Sequence, residues 1–232
     1  MSRYVILWRV LRCEAIRRLR QPGRHACKPK SRLVRAIRRA YRAHPIPRPK
    51  RVNSRWDRDD FIWDALPLSF STWGVSRGGE LRSNPQVAFD ALSACRNASR
   101  REKRMSDALV AAGVRWPTKK APLLLENLQM IVAAGGPGAV KRQLSLCKGC
   151  GAKIKFLSKF RGVGPKYARN MMMDVCYPDF WESIAVDTRL QHEEKFFLEV
   201  AHEAGLNGWQ LDRLIYNSKD DVLAALSEER RS

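Results

Sequence analysis

Two residues in this chain have the types and local settings that covalent chemistry at an electrophilic carbon requires: Lys166 in "FRGVGPKYARN" and Asp187 in "IAVDTRL", 21 positions later. A lysine in the first turn of a helix, close to other cations, loses part of its proton affinity, as an amine nucleophile needs. A carboxylate at a helix N-cap is held ionised by the backbone donors around it and can stabilise developing positive charge or take up a proton. Each also has a plain structural reading. Lys166 alone is a solvated surface residue, and Asp187 alone is an N-cap contributing about 1 kcal/mol of helix stability.

The elements that must position them are legible around the pair. "KIKFLSKF" reads as a short helix, Gly162-Val163-Gly164 as a turn, and "PKYARNMMMDVCY" as a second helix with Pro165 at its first position and Pro178 as its stop. Helix, Gly-Val-Gly turn, helix is a helix-hairpin-helix. Its glycines let the backbone approach a phosphodiester, and the N–H groups opening the second helix act as anion donors. Such contacts hold a duplex without reading its sequence. "WESIAV" reads as an extended link into "DTRLQHEEKFFLEVAHEAG", a helix capped by Asp187 and ended by Gly205.

Elsewhere the punctuation is helical, and the pattern predicts an all-α fold of eight to ten helices. Asn84-Pro85 opens "QVAFDALSACRNA", Ser106-Asp107 opens a short helix closed by Gly113, and Thr118 opens "KKAPLLLENLQMIVAAGG" with Pro122 in its first turn. Ser218 and Asp221 have the capping-box spacing. Met171, Met172 and Met173 read as core.

The net charge of +21 is concentrated at the front: residues 1–55 hold 18 Lys/Arg against one acid, Glu14, and the other 177 residues hold 26 against 22. We read 1–55 as a basic arm and linker, with helices around 3–20 and 32–42 and a Pro-broken stretch over 43–55, and 56–232 as the globular domain. A basic arm on a nearly balanced globule fits a polyanionic partner, through counterion release. The other readings of the arm are a disordered solubilising tail and an organellar targeting peptide. No run of 18 apolar residues occurs, so no membrane role is expected, and six cysteines without a secretory h-region point to a reducing cytosol. There is no HExxH, Walker A or complete GxGxxG.

"FRGVGPKYARNMMM" followed by "IAVDTRL" resembles the helix-hairpin-helix, Gly/Pro-rich loop and Asp superfamily of DNA glycosylases, to which endonuclease III belongs. The likeness extends upstream through "AGVRWPTKKAPLLLENLQMIVAAGGPGAV" and covers roughly Phe61 to Leu214. It implies two helical subdomains with a target base flipped into the cleft between them, the chain filling the gap left in the duplex. It further implies that Gly162, Val163 and Gly164 hold a DNA phosphate, with a monovalent cation possible there. Lys166 takes the place of the Schiff-base lysine and Asp187 that of the essential aspartate. Arg189, where the family shows His, is a candidate phosphate contact, the alternative being a solvated side chain. Ser71, Trp73 and Arg77 are candidates for contacting the flipped base or its orphaned partner.

The implied activity is base excision: an N-glycosylase with associated AP-lyase activity on double-stranded DNA carrying a damaged or mismatched base, acting as a cytoplasmic, nucleoid-associated monomer. The alternatives are a monofunctional glycosylase and a non-enzymatic nucleic-acid-binding protein. No cofactor is required, and no iron-sulfur cluster is expected, because no cysteine follows Cys176. "CKGC", Cys147 to Cys150, has the spacing of zinc or redox sites, but zinc would need two further ligands from Cys176, His192 or His202. No metal site is assigned.

Overall fold

The computed structural model describes residues 29–71, 78–185 and 194–231. The fold is all-helical, with no strand among the described residues. In chain order the helices are α1 (Pro29–Ala43), α2 (Phe61–Ser71), α3 (Gly78–Ser83), α4 (Phe89–Ser93), α5 (Ala98–Ala111), α6 (Pro117–Ala133), α7 (Pro137–Leu146), α8 (Gly149–Leu157) and α9 (Pro165–Met173). They are followed by α10 (Glu194–Ala204), α11 (Gly208–Asn217) and α12 (Lys219–Arg231). The chain divides into two compact units, one over 52–175 and one joining the residues up to 51 with those from 176 onward.

In the 52–175 unit the core is built on α2, whose Phe61, Ile62, Leu66 and Phe70 are all buried, as expected of a helix that is apolar on nearly every side. It packs against α3, α6, α7 and α9. Leu124, Leu128 and Ile131 of α6 and Val140 and Leu144 of α7 are buried in the same unit. Met171, Met172 and Met173 are buried as the sequence suggested. No single helix among the described residues is long and apolar enough to cross a membrane.

Several helix starts differ from the sequence reading. Ser106-Asp107 lies inside α5, which begins several residues earlier, where Asn97 accepts from the Arg100 N–H at 2.8 Å. The arginine-rich first half of that helix is mostly exposed, and Met105, Ala108 and Leu109 form its buried face. The stretch after Pro85 breaks into a 3₁₀ turn, Pro85–Val87, and α4, because Ala88 between them is extended. α6 starts at Pro117, which puts Pro122 inside the helix. A capping box that sequence reading did not pick out opens α11, where the side chains of Asn207 and Gln210 each bond the other's backbone N–H.

The second unit places part of the basic segment in a core. α1 buries Leu33, Val34, Ala36, Ile37 and Ala40 among Phe197, Val200, Leu211, Leu214 and Val222. Three of its cations are matched by acids of the surrounding helices, and a fourth bonds a backbone carbonyl. Lys30 pairs with Glu199 at 2.9 Å and Arg35 with the buried Glu229 at 2.6 Å, Arg39 bonds Glu228, and Arg38 donates to the Glu203 carbonyl. The stretch after α1 is strapped down as well, since the Ile46 carbonyl accepts from Tyr41 Oη at 3.1 Å and Gln210 Nε2 at 2.7 Å. Residues 29–46 are therefore structural, because the amphipathic period that suggested a helix also gives it an apolar face to bury. The helix expected around 3–20 lies outside the described residues.

Replacing Ile37 with Ala is expected to destabilise this unit by about 2–4 kcal/mol, the range for truncating a buried aliphatic side chain. Denaturant unfolding followed by circular dichroism reads the effect. An exposed basic arm would tolerate the change with no shift in midpoint.

Candidate functional site

The hairpin forms as the sequence suggested, and its geometry assigns a different reason to each glycine. After α8 the chain makes a four-residue turn closed by the Val163 N–H on the Phe160 carbonyl at 3.1 Å. Gly162 occupies its third position with φ +76°, a backbone conformation that favours glycine. Packing demands glycine there too, because a Cβ would lie 2.5 Å from Phe70 Cζ. Val163 is buried and anchors the turn to the core.

Gly164 is different. It caps α9 in an ordinary extended conformation, φ −83° and ψ 172°, and a Cβ there would meet nothing within 4 Å. Neither backbone strain nor internal packing calls for glycine at this position. The first bond within α9 runs from the Ala168 N–H to the Gly164 carbonyl at 3.0 Å. The N–H groups of Lys166 and Tyr167 lie ahead of it, at the positive end of the helix dipole. Lys166 itself is half-buried in this first turn.

Two side chains of α6 and one of α2 fix where the hairpin sits. Asn127 is fully buried and grips the backbone of Arg161, donating from Nδ2 to its carbonyl at 3.0 Å and accepting its N–H on Oδ1 at 2.7 Å. Phe70, near the end of α2, supplies the ring on which Gly162 rests. The Phe70 carbonyl accepts from Lys120 Nζ at 2.7 Å, so a buried ammonium bonds the last turn of α2, where a positive charge suits the helix dipole. Only 1 % of Lys120 is exposed, and burial, with a smaller contribution from the nearby charge of Arg115, lowers its pKa from the usual 10.5 to about 8.

Trp116 precedes α6 and is unusual on two counts. A bulky residue at φ +56° is a backbone outlier, and this one leaves 58 % of its surface exposed. Its carbonyl receives the N–H groups of Lys119 and Lys120, each at 3.1 Å, which holds the strained conformation in place. Arg115 and Lys119 flank the ring in sequence and are exposed.

In the other unit, the link leading toward Asp187 is fixed at three points. The Trp181 carbonyl accepts from the Trp209 N–H at 2.9 Å, and the Ser183 backbone lies so close to Gly208 that a Cβ there would come within 3.0 Å of it. The Ala185 N–H donates to the buried Asp212 at 3.0 Å. Asp187 and Arg189 lie just beyond, outside the described residues, as do Trp73 and Arg77. Ser71 is the last residue of α2. The structure thus brings Gly162, Val163, Gly164 and Lys166 together on one hairpin, which rests against the end of α2 that Ser71 closes. Cys147 and Cys150 are half-buried, and among the described residues no group of three or more His, Cys, Asp and Glu is placed to hold a metal ion.

Comparison of the chain with protein-family models, curated proteins and solved structures finds no match. Function must then be read from the residues themselves. Asn127, Lys120, Phe70, Asp212 and Trp116 are the ones that motif reading passed over. For the first two a signal existed: Lys120, Leu124, Asn127 and Ile131 recur at helical spacing, so a lysine and an amide interrupt an otherwise apolar stripe. Polar groups on such a face need fixed partners.

Gly162→Ala is expected to cost roughly 2–4 kcal/mol, combining left-handed strain with a clash against Phe70. A lowered denaturant midpoint with helical content retained at zero denaturant checks it. For Lys120 the folded chain binds fewer protons than the unfolded one between pH 8 and 10.5. Its contribution therefore makes stability rise with pH across that window and leaves it flat below pH 8. Thermal midpoints of the parent should gain on those of Lys120→Met from pH 8 to 10.5, and parallel pH profiles would refute this.

Proposed function

We propose that this protein is a DNA N-glycosylase with associated lyase activity, one that removes a damaged or mismatched base from duplex DNA. The observation that carries the reading is Gly164. A glycine that neither φ nor packing requires, at the N-terminus of a nine-residue helix, is accounted for if a ligand approaches the backbone there. A DNA phosphate is the natural candidate, since it meets the positive end of the helix dipole and approaches the backbone at Gly164 without side-chain interference. Resemblance of the hairpin-to-Asp187 block to the helix-hairpin-helix glycosylases adds the chemistry.

In this reading the Lys166 amine, in its neutral form, attacks C1′ of the target nucleotide. The bond from C1′ to the base breaks and the base departs with the bonding pair, taking up a proton. Opening of the sugar ring leaves an imine between Lys166 and C1′. Loss of a proton from C2′ then expels the 3′ phosphate and cuts the strand. The carboxylate of Asp187 stabilises positive charge developing on the sugar or accepts a proton from Lys166. Trp116, exposed and held in a strained conformation with Arg115 and Lys119 near it in sequence, is assigned to fill the gap that the extruded base leaves in the stack.

Borohydride reduction during turnover should join the protein covalently to lesion-bearing duplex, and Lys166→Gln should lower that yield by at least about a hundredfold. Gly164→Ala should stay within about 1 kcal/mol of the parent in stability yet bind duplex roughly tenfold more weakly. Base release without trapping or strand cleavage would select the monofunctional reading. Duplex binding with neither base release nor trapping, on a panel of single-lesion substrates, would leave a non-enzymatic clamp.

A further inference from the structure

The turn into α5 and its first half carry Arg96, Arg100, Arg101 and Arg104. Arg101 serves the fold, because its guanidinium turns back onto the Cys95 carbonyl, with Nε at 3.0 Å. The other three line a cleft of about 330 Å³ together with Cys95 and Asn97, and no carboxylate contributes to its wall. Their side chains have no hydrogen-bond or ion-pair partner among the described residues. Asp107, further along the same helix, pairs with Lys103 at 2.8 Å instead. The first turn of α5 has no acidic side chain.

This contrasts with α1, where a similar density of arginines is matched by glutamates. Three guanidinium groups around one concavity without counter-charges repel one another and concentrate positive potential. The arrangement suits an occupant that brings its own negative charge. Its shape also discriminates among anions. Arg100 and Arg104 stand one helical turn apart on the same face, about 6 Å along the axis, and Arg96 precedes Arg100 by the same number of residues. A nucleic-acid strand carries one charge per roughly 3.4 Å of helix rise, so a row of this length spans successive phosphates. A guanidinium fork pairs bidentately with such oxygens.

We infer that this cleft binds the sugar-phosphate backbone of a nucleic-acid strand, as an anchoring site separate from the hairpin. The assignment rests on the reading of the protein as one that acts on DNA, and extends it by a second contact that the catalytic reading does not need.

The test uses the full chain and undamaged duplex, so that it can be read whether or not any base is released. Fluorescence anisotropy across a salt series should show the log–log slope of affinity becoming shallower by about 0.9 for each of Arg96→Gln, Arg100→Gln and Arg104→Gln, and by about 2.7 in the triple variant. Thermal midpoints should not move. Lysine at the same three positions should restore the slope, because charge sets counterion release. An unchanged slope in the triple variant would overturn the inference. So would stoichiometric binding of inorganic pyrophosphate by calorimetry, lost in the triple variant while the duplex slope stays put, since the cleft would then serve a free anion. Absence of both base release and trapping on lesion-bearing duplex, alongside a shallower slope in the triple variant, would retire the enzymatic reading and leave the backbone site standing.

Discussion

The contact of Gly162 with the ring of Phe70 is the constraint around which the 52–175 unit is organised. It requires three things at once: a turn residue at φ +76°, no Cβ, and a buried ring at the end of α2. α6 supplies the rest of the clamp, since Asn127 holds the backbone of Arg161 and Lys120 holds the carbonyl of Phe70. A single helix thereby sets both partners of the contact through its buried face. Because Asn127 and Lys120 are almost wholly buried, their hydrogen bonds are costly to leave unmade, and that cost keeps the hairpin in one place. Lys166, two residues past Gly164, inherits this position through the backbone.

Charge is handled differently in different parts of the chain. Lys30, Arg35 and Arg39 of α1 meet glutamates, one of them buried, so this helix adds to the core of its unit while offering less free positive charge than its sequence implies. Arg96, Arg100 and Arg104 at α5 meet no acids among the described residues, and Arg115 and Lys119 flank an exposed tryptophan. The composition alone, +21 with most of it ahead of residue 56, points attention to the front of the chain. Ion pairing shifts that attention: a paired cation has little left to give a phosphate, whereas an unpaired one in a cleft releases counterions on binding.

Much of the fold could be read along the chain because its signals are local. Pro165 at the start of α9, Gly205 after α10, the three buried methionines and the helical period of α1 each depend on residues a few positions apart. Reading failed where a local signal had a competitor. Ser106-Asp107 looks like a helix start until Asn97 caps the same helix more than two turns earlier, and the Asn84-Pro85 start is interrupted because Ala88 takes an extended conformation. The basic segment reads as an arm by its charge, while the apolar stripe of its 29–43 helix is packed in a core.

By itself, the sequence determined that the chain is helical, that a Gly-Val-Gly turn joins two of its helices, and that a lysine stands in the first turn of the second. Helix propensity, proline and glycine act over a few residues and need no distant partner. Only the tertiary structure decided why the two glycines differ, one filled by Phe70 and one open, and which cations are already matched. It also decided that Asn127 and Asp212 hold the backbone at Arg161 and Ala185. Those facts depend on side chains 27 to 194 residues apart in sequence, brought together by burial of apolar cores, and no local pattern specifies such a pairing.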